Sequence, residues 1–531
     1  MKLFISKILI LFINIRLKIN FFSYKINIKN LNQILNISYH FKLLNQIHNK
    51  GYDILYNQFH YHNKIYSFNH FNQKYSVANY YFYNFFWLVD LKNINTNQSY
   101  EKSYQLLNFW LQYNNSSYSL NDLSTISERV FNIIISYKFL TNFNNNIFLN
   151  KLLLNIKKEI EYLMNSYHKK FYKLYLQDNI IIFFKTILLL EFTTNGSSLS
   201  SIIKDLNNHL KIHIYDDGGH ISHNISTSLM YLQNLLIIKD MLKEDLNNDL
   251  SIINLYIDKI SLFIKVLKHK DNSLAIFNKS NDTDIDQINI LLSLNNTANS
   301  SNYNNLKDSK YINLKHNDNN IIVSYFCKNN TFFPIEATLN KEKIITNIPS
   351  ELFENSIENL QCSTLILELE NNNSYIVPKN NNISIQKRDE DNWQIIELSY
   401  EANEYGLIYR KIIYLSKNKK NNYILGEDLL SFYKANNLKK IKNAYLRFHL
   451  TPSINSVETY KNNHIALLQT KNNIYSFNSP DNAIKFHKTL YSEKNSVYSY
   501  TFDIPFNLQA KIIKNEWNLC SIKSEIDFLN T

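Results

Sequence analysis

Residues 215–224 read YDDGGHISHN and hold two of the six glycines of this 531-residue chain side by side. Average usage would give roughly 37 glycines in a chain of this length. A glycine pair is therefore expected only where the backbone needs a positive φ or a close approach. The stretch predicts a tight turn that leads into a helix. Its histidines, His220 and His223, make it a candidate site for chemistry, and a plain helix–helix turn capped by Asn224 is the alternative.

The chain on both sides of this turn has the pattern of consecutive helices. The first 333 residues contain no proline, which suits long uninterrupted helices. Thr125 and Glu128 have the spacing of a capping box at the start of one of them. No sequence repeat of fixed period is present, which argues against a regular solenoid and favours an α/α bundle or toroid. Helical periodicity is found over residues 103–113, 148–167, 178–192, 199–214, 225–246 and 250–267.

The last two-fifths of the chain have a different pattern. Runs such as IIVSYFC, WQIIELSY and VYSYTFD have strand character and are separated by Asn, Lys, Ser and Pro. Many short strands without helices between them indicate an antiparallel β-sandwich. The predicted domains are an N-terminal helical or irregular segment (1–70), an α/α toroid domain (71–270), an Asn-rich linker (271–310) and a β-sandwich domain (311–531).

Composition limits the classes of function. The net charge of +12 is compatible with an anionic partner. Lysines are spread along the chain without a basic stripe interleaved with aromatics, so no nucleic-acid partner is expected. The three cysteines form no CxxC pair, which indicates neither a disulfide framework nor a zinc knuckle. The oligomeric state is left open by the sequence.

The N-terminus carries one short apolar run. Residues 8–15 lie between Lys7 and Arg16, and this run is too short to span a bilayer, so no transmembrane span is expected. The run has the length of a signal-peptide core, but no A-x-A-like cleavage site follows it. Residues 1–22 are therefore a weak candidate targeting segment. The sequence leaves open an envelope or periplasmic location and a cytoplasmic one.

Several motifs together resemble those of one family. NFFWLVDLK (84–92), SERVFNIIIS (127–136) and DDGGHISHN (216–224) are followed by STLILE, YGLIYRKIIYLS, LGEDLL and LRFHL. This order is similar to that of the heparinase II/III-like polysaccharide lyases, and most similar to the branch found in many alphaproteobacterial genomes. The resemblance covers about residues 70–520. It implies an N-terminal, incomplete α/α toroid followed by a C-terminal antiparallel β-sandwich.

The same resemblance implies a function. Such enzymes are carbon–oxygen lyases that cleave uronic-acid polysaccharides by β-elimination. The reaction needs a group that neutralises the uronate carboxylate, a base for the C5 proton and an acid for the departing O4. Some members also hold a structural zinc in the sandwich; no other cofactor is implied. A glycan-binding protein or envelope scaffold of the same fold without catalysis is the alternative.

The family's catalytic residues carry over in part. His220 matches the signature histidine, and His223 stands where the family has Arg. Asn179 falls near the expected neutralising Asn. At the position of the family's Tyr this sequence has Thr227, with Tyr231 one helical turn further on. The candidate catalytic residues are therefore His220, His223 and Tyr231.

A second group of residues completes the candidate set. Arg129 lies among apolar positions, where it forms a buried ion pair between helices or a clamp for a sugar carboxylate. Asn224 and Tyr409 are further candidates for substrate binding, with strand packing as the alternative for Tyr409. His449 is a weak candidate metal ligand. Just before STLILE, where the family has a His, this sequence has Gln361 and Cys362.

Overall fold

The structure is a computed structural model that divides the chain into two compact units. One comprises Met1–Ile214, Leu229–Asp258 and Asp286–Asn296; the other comprises Tyr215–Ser228, Lys259–Ile285 and Thr297–Thr531. The turn at 215–224 therefore belongs to the unit that contains the two large sheets. The structure describes residues 34–35, 42–47, 51–56, 58–61, 64–67, 81–113, 122–143, 145–174, 179–194, 198–243, 250–295, 305–326, 331–349, 361–370, 383–403, 405–418, 422–433, 440–492 and 497–522.

The described helices precede the large sheets along the chain, and each helical run predicted from periodicity overlaps one of them. The predicted targeting segment, residues 1–22, lies outside the described residues. No helix among the described residues combines the length and apolar character needed to cross a bilayer. The helices are α1 (Lys42–Ile47), α2 (Gly51–Leu55), α3 (Phe86–Ile94), α4 (Asn97–Tyr113), α5 (Leu123–Leu140), α6 (Asn146–His168), α7 (Ile180–Thr193), α8 (Leu199–His213), α9 (Ile225–Leu242), α10 (Ser251–Val266) and α11 (Ile285–Ser293).

The start of α5 differs from the prediction. Asp122, not Thr125, is the N-cap: its carboxylate accepts the backbone N–H of Thr125 at 2.6 Å. The Glu128 carboxylate instead forms an ion pair with Nζ of Lys185 in α7, at 2.9 Å. The predicted capping box is therefore wrong. The physical reason is that the buried Lys185 ammonium needs a negatively charged partner. Glu128 supplies this charge, and it could not do so if its side chain were bonded to the N-terminus of α5.

The strands form a small hairpin and two large antiparallel sheets. Within the predicted linker, 271–310, the structure has α11 and β3. The strands are β1 (Gln58–Tyr61), β2 (Lys64–Ser67), β3 (Asn305–Leu306), β4 (Tyr311–His316), β5 (Asn319–Ser324), β6 (Ile335–Leu339), β7 (Glu342–Thr346), β8 (Leu365–Leu369), β9 (Ile383–Asp389), β10 (Trp393–Ala402), β11 (Leu407–Ser416), β12 (Tyr423–Phe432), β13 (Ile441–Leu450), β14 (Ser456–Tyr460), β15 (Ile465–Gln469), β16 (Ile474–Asn478), β17 (Lys485–Ser492), β18 (Val497–Pro505) and β19 (Ile512–Ile522).

The two large sheets enclose one core. One has the order β14-β15-β16-β19-β12-β11-β10-β9, and the other has β17-β18-β13-β7-β6-β5-β4-β3, with β8 also paired to β13. Apolar residues from both sheets form a single buried cluster. Gly426 of the LGEDLL motif packs against Trp517 of this cluster, and a Cβ at this glycine would come within 2.0 Å of the indole. The predicted helical part followed by an antiparallel β-sandwich is confirmed.

Candidate functional site at the paired-glycine turn

The glycine pair forms the turn that its sequence predicts. Gly218 has φ of +89°, and the N–H of Tyr215 donates to the carbonyl of Gly219 at 2.8 Å. A Cβ on Gly218 would lie 2.1 Å from the carbonyl oxygen of Lys259, and one on Gly219 would lie 1.8 Å from Oγ of Ser309. Gly218 therefore excludes a side chain both by its positive φ and by lack of space, and Gly219 excludes one by lack of space.

Asp217 binds the turn to the start of the sheet region. Its carboxylate accepts the backbone N–H groups of Asp308 and Ser309, at 2.9 and 2.8 Å, and the Ser309 hydroxyl at 2.5 Å. It also accepts the N–H of Gly219 at 3.2 Å. With four donors on one carboxylate, Asp217 holds the turn and the 308–309 segment together. Its role is structural.

The ring of His220 is fixed by its own turn. Nδ1 accepts the backbone N–H of Ser222 at 3.1 Å and lies 2.8 Å from that residue's hydroxyl. Its backbone N–H donates to the Ser228 hydroxyl at 3.1 Å. Because a backbone N–H can only donate, Nδ1 of His220 is unprotonated and the proton of the neutral ring resides on Nε2. His220 thus has the tautomer of a hydrogen-bond donor at Nε2, and it is fully buried.

His223 is fixed in the opposite tautomer. Its Nδ1 lies 3.0 Å from the carbonyl oxygen of Ser309, and a carbonyl can only accept, so Nδ1 carries the proton. Nε2 lies 3.3 Å from the hydroxyl of Tyr215. The ring stacks on Phe326 with centroids 3.6 Å apart. His223 holds φ of +56°, a conformation that is uncommon for residues other than glycine, so the surrounding contacts impose its position.

Asn224 has the capping role that was the alternative prediction. Its side-chain oxygen accepts the N–H of Thr227 in the first turn of α9 at 3.1 Å. Its Nδ2 donates to the carbonyls of Asn278 and Lys279, at 3.2 and 2.9 Å. Asn278 in turn donates to the carbonyl of His223 at 3.2 Å. Both ends of the Asn224 amide are thus occupied within this unit, which disfavours its predicted part in substrate binding.

A narrow cleft of about 30 Å³ opens beside Asn278, room for about one or two waters. It contains Gln361 and Cys362, which stand where the family has a His. Burial, with a smaller contribution from the charge of Glu336, raises the pKa of the Cys362 thiol to about 12. The thiol therefore stays protonated at neutral pH and cannot replace an imidazole as a base. The lining residues are Ile276, Phe277, Asn278, Lys279, Ser280, Thr331, Pro334, Asn347, Ile348, Gln361 and Cys362.

In the helical unit, Arg129 forms an ion pair. Its guanidinium contacts the Glu159 carboxylate at 2.6 Å and donates to the carbonyl of Tyr83 at 3.0 Å. The guanidinium lies 5.4 Å from the ring centroid of Trp110, and the Arg129 side chain is 1% exposed. Of the two interpretations, the buried ion pair between helices describes this arrangement, and Trp110 is a core residue.

Two further predicted residues lie in the same unit. Tyr231 is fully buried, and its hydroxyl lies 2.7 Å from Nε2 of His209, whose ring stacks on it. The Tyr231 hydroxyl is thus engaged by His209, an environment that favours a packing role for this residue. Asn179 is the residue before α7; its side chain is partly exposed and makes no capping bond to that described helix.

The predicted residues on the sheets are buried in the sandwich. Tyr409 is fully buried and donates to Asp428, which also accepts the Trp517 indole N–H at 2.8 Å. This packing leaves no face of Tyr409 for a glycan. Nδ1 of His449 lies 2.9 Å from the hydroxyl of Thr501. These environments favour packing roles for both residues.

The described residues do not fit a zinc site. They contain no group of three or more His, Cys, Asp or Glu side chains that could hold a metal ion. The backbone N–H of His449 donates to the Ser363 hydroxyl at 2.8 Å. Four ligands at short distance are the rule for structural zinc.

Three residues of this site were not singled out from the sequence. Tyr215 begins the quoted stretch, and its position eight residues before His223, across a glycine turn, was a usable signal. No sequence signal pointed to Asn278 and Ser309, since they lie 54 or more residues from the turn and contact it only in the folded chain.

The comparisons with known proteins agree with this architecture. Residues 367–514 match the model of the family described as "Heparinase II/III-like, C-terminal". No curated protein matches the chain in sequence.

Solved structures extend the likeness to almost the whole chain. A crystal structure of heparinase III has a TM-score of 0.63 at 12% identity, covering 97% of this chain and 90% of that one. A heparinase III gene product has a TM-score of 0.61 at 11% identity, covering 96% of this chain and 86% of that one. The heparan sulfate lyase HepC from Pedobacter heparinus has a TM-score of 0.53 at 11% identity, covering 95% of this chain and 84% of that one.

The molecule therefore has the fold of a toroid-and-sandwich polysaccharide lyase, with a histidine-bearing glycine turn in the sheet-containing unit. Residues 367–514 therefore carry the heparinase II/III-like C-terminal domain, and the fold of the chain resembles that of heparinase III.

Proposed function

We propose that the chain is a polysaccharide lyase-like protein that cleaves a uronic-acid-containing anionic glycan by β-elimination. The observation that carries the proposal is the pair of histidines held in defined and opposite tautomers at one turn. A site of this kind offers a donor and an acceptor for protons without rearranging its rings. The net charge of +12 suits an anionic glycan, and glycans of the cell envelope are the class to screen first.

His220 has the tautomer required of the neutralising group. With Nδ1 occupied by the Ser222 N–H, the Nε2–H can donate to a carboxylate oxygen. A uronate whose charge is offset in this way has a more acidic C5 proton. His220 is therefore assigned to carboxylate neutralisation rather than to removal of the proton.

One observation favours the second candidate function, binding of a glycan without cleavage. Both histidines are buried, with exposed fractions of 0% for His220 and 6% for His223. A glycan held only at the rim of such a buried pair would be bound without C5 reaching a base. The replacement of the family's His by Gln361 and Cys362 agrees with this alternative.

The test is an assay on a panel of uronate polysaccharides, followed by the ultraviolet absorbance of the unsaturated product. The variant His220→Asn retains an acceptor for the Ser222 N–H but lacks Nε2, so it should fold and lose most of the rate. His487→Ala, on exposed strand β17, is the matched control and should retain the rate. Product formation by His220→Asn at the wild-type rate would contradict the site assignment. Measurable glycan binding with no product from the wild type would favour the second candidate.

A further inference from the structure

A second cleft lies at one end of the β-sandwich, within the sheet-containing unit. Its volume is about 500 Å³, which falls in the range of about 300–1,000 Å³ that is usual for small-molecule sites. The β6–β7 turn of one sheet contributes to its wall, together with the β15–β16 turn and the end of β19 of the other sheet. The lining residues are Asn340, Gln469, Thr470, Lys471, Asn472, Asn473, Ile474, Ser521 and Ile522.

Glu342 fixes these two turns against each other. Its carboxylate, at the start of β7, accepts the Thr470 hydroxyl at 2.7 Å and Nδ2 of Asn472 at 3.0 Å, both from the β15–β16 turn. It also accepts the Tyr475 hydroxyl at 2.8 Å. Burial opposes the charge of this carboxylate, but the hydrogen bonds outweigh burial and lower the pKa of Glu342. The negative charge is therefore offset by donors of the protein itself.

Asn340, in the β6–β7 turn, is fixed by a separate set of hydrogen bonds. Its Nδ2 donates to the Ser521 hydroxyl of β19 at 2.8 Å, and its Oδ1 accepts Nδ2 of Asn422. The side-chain oxygen of Asn422 in turn accepts Nδ2 of Asn319 at 2.9 Å. This network connects the two sheets beside the cleft. The polar groups of the cleft are thus held in place before a ligand arrives, which lowers the entropic cost of binding.

The lining residues define the chemistry of the ligand. Most carry amide or hydroxyl groups, and each amide offers two donors and an acceptor oxygen. Of the described residues that line the cleft, only Lys471 is charged, and it is exposed to solvent, where an ion pair contributes little. Ile474 and Ile522 are cross-strand partners and add a small apolar area, since Ile474 is 41% exposed. Amides around a small apolar surface match a pyranose ring, which has hydroxyls on its edge and C–H groups on its faces.

We propose that this cleft is a sugar-binding site distinct from the paired-glycine turn. It binds an uncharged sugar residue, with Asn340 and Asn472 bonding its hydroxyls and Ile474 packing against its C–H face. The proposal does not rest on the lyase function, because it involves no reacting group and no residue of the turn.

The test is saturation-transfer difference NMR of the full chain with three uncharged sugars, glucose, galactose and mannose, and with the three corresponding uronates. A hexose of ordinary ligand efficiency has a Kd on the order of 1 mM, so each sugar is titrated to about 20 mM. We expect saturation transfer to at least one uncharged sugar, with a Kd no higher than that of its uronate.

Two variants remove the amides of the cleft. Asn340→Gly keeps the positive φ of 51° that the turn has, and Asn472→Ala removes the amide of an exposed residue. Each should weaken binding by about 3- to 10-fold, the contribution of one or two hydrogen bonds. Asn462→Gly is the matched control, because Asn462 also has a positive φ, of 54°, in the β14–β15 turn and does not line the cleft. It should leave the Kd unchanged.

Three outcomes would overturn the proposal. One is the absence of saturation transfer to all three uncharged sugars, and another is binding that Asn340→Gly and Asn472→Ala both leave unchanged. The third is tighter binding of the uronates that Lys471→Met abolishes, since the cleft would then select a charge. If Asn340→Gly melts at a lower temperature, Asn472→Ala still decides the test, because Asn472 bonds Glu342 and not the Asn340 network. The lyase assay would be unaffected by any of these results.

Discussion

Replacing Glu336 by alanine should destabilise the sheet-containing unit severely, because this buried carboxylate joins five donors. Nε2 of His269 and Nζ of Lys343 each lie 2.8 Å from it. The backbone N–H groups of Ile276 and Asn347 donate to it at 3.1 and 2.8 Å. The Thr346 hydroxyl, at 3.3 Å, is the fifth. Asn347 also donates to the Ile276 carbonyl at 2.8 Å, so the cluster sets the position of the segment that leads to Asn278.

The magnitude follows from what alanine would leave behind. Lys343 is 8% exposed, and removing the partner of a buried charge costs about 3–5 kcal/mol. Two buried N–H groups would also lose their acceptor, at about 1–3 kcal/mol each if nothing replaces it. These costs overlap, since water or a shift of the chain can relieve several at once. We expect a loss of about 3–5 kcal/mol in the free energy of unfolding.

The assay is denaturant unfolding of the full chain, followed by near-ultraviolet circular dichroism. Glu397→Ala is the matched control: Glu397 pairs with Arg410 at 2.6 Å, but Arg410 is 42% exposed, so its loss should cost about 0–1 kcal/mol. A double variant, Glu336→Gln with Lys343→Met, removes both charges and should recover part of the stability. If Glu336→Ala cost no more than Glu397→Ala, the reasoning about buried charge would be refuted.

Three further predictions concern the same fold. Burial, aided by the charge of Lys343, lowers the pKa of His269 from 6.5. Below pH 6.5 the unfolded chain therefore binds a proton that the folded chain does not, so thermal melts should show stability rising with pH up to about 6.5. The variant His269→Gln should show a weaker dependence of stability on pH. Gly218→Ala should cost more than about 2 kcal/mol in a melt, because φ of +89° and a carbonyl 2.1 Å from the new Cβ both oppose it; equal melting with wild type would contradict the turn. Arg129→Lys should cost about 2–3 kcal/mol, since lysine cannot reproduce the bidentate contact with Glu159, and a melt unchanged by the substitution would count against that contact.

The sequence alone determined the order of elements and the position of the turn. Helical and strand periods are local properties, set by which side chains must face a core, so they can be identified without knowing their partners. The glycine pair could be interpreted for a similar reason: in a chain so poor in glycine, only steric necessity explains it, and the contacts of Gly218 and Gly219 show that necessity. The order of the motifs likewise predicted the resemblance to heparinase II/III-like proteins that residues 367–514 and the fold bear out.

Only the tertiary structure decided what each candidate side chain does. Arg129 and Tyr409 carry polar groups that suit a sugar, but Glu159 and Asp428, which are 30 and 19 residues away in sequence, occupy them. The tautomer of His223 depends on a carbonyl 86 residues away. The direction of a hydrogen bond depends on which partner the folded chain brings within about 3 Å, and no local pattern encodes that distance.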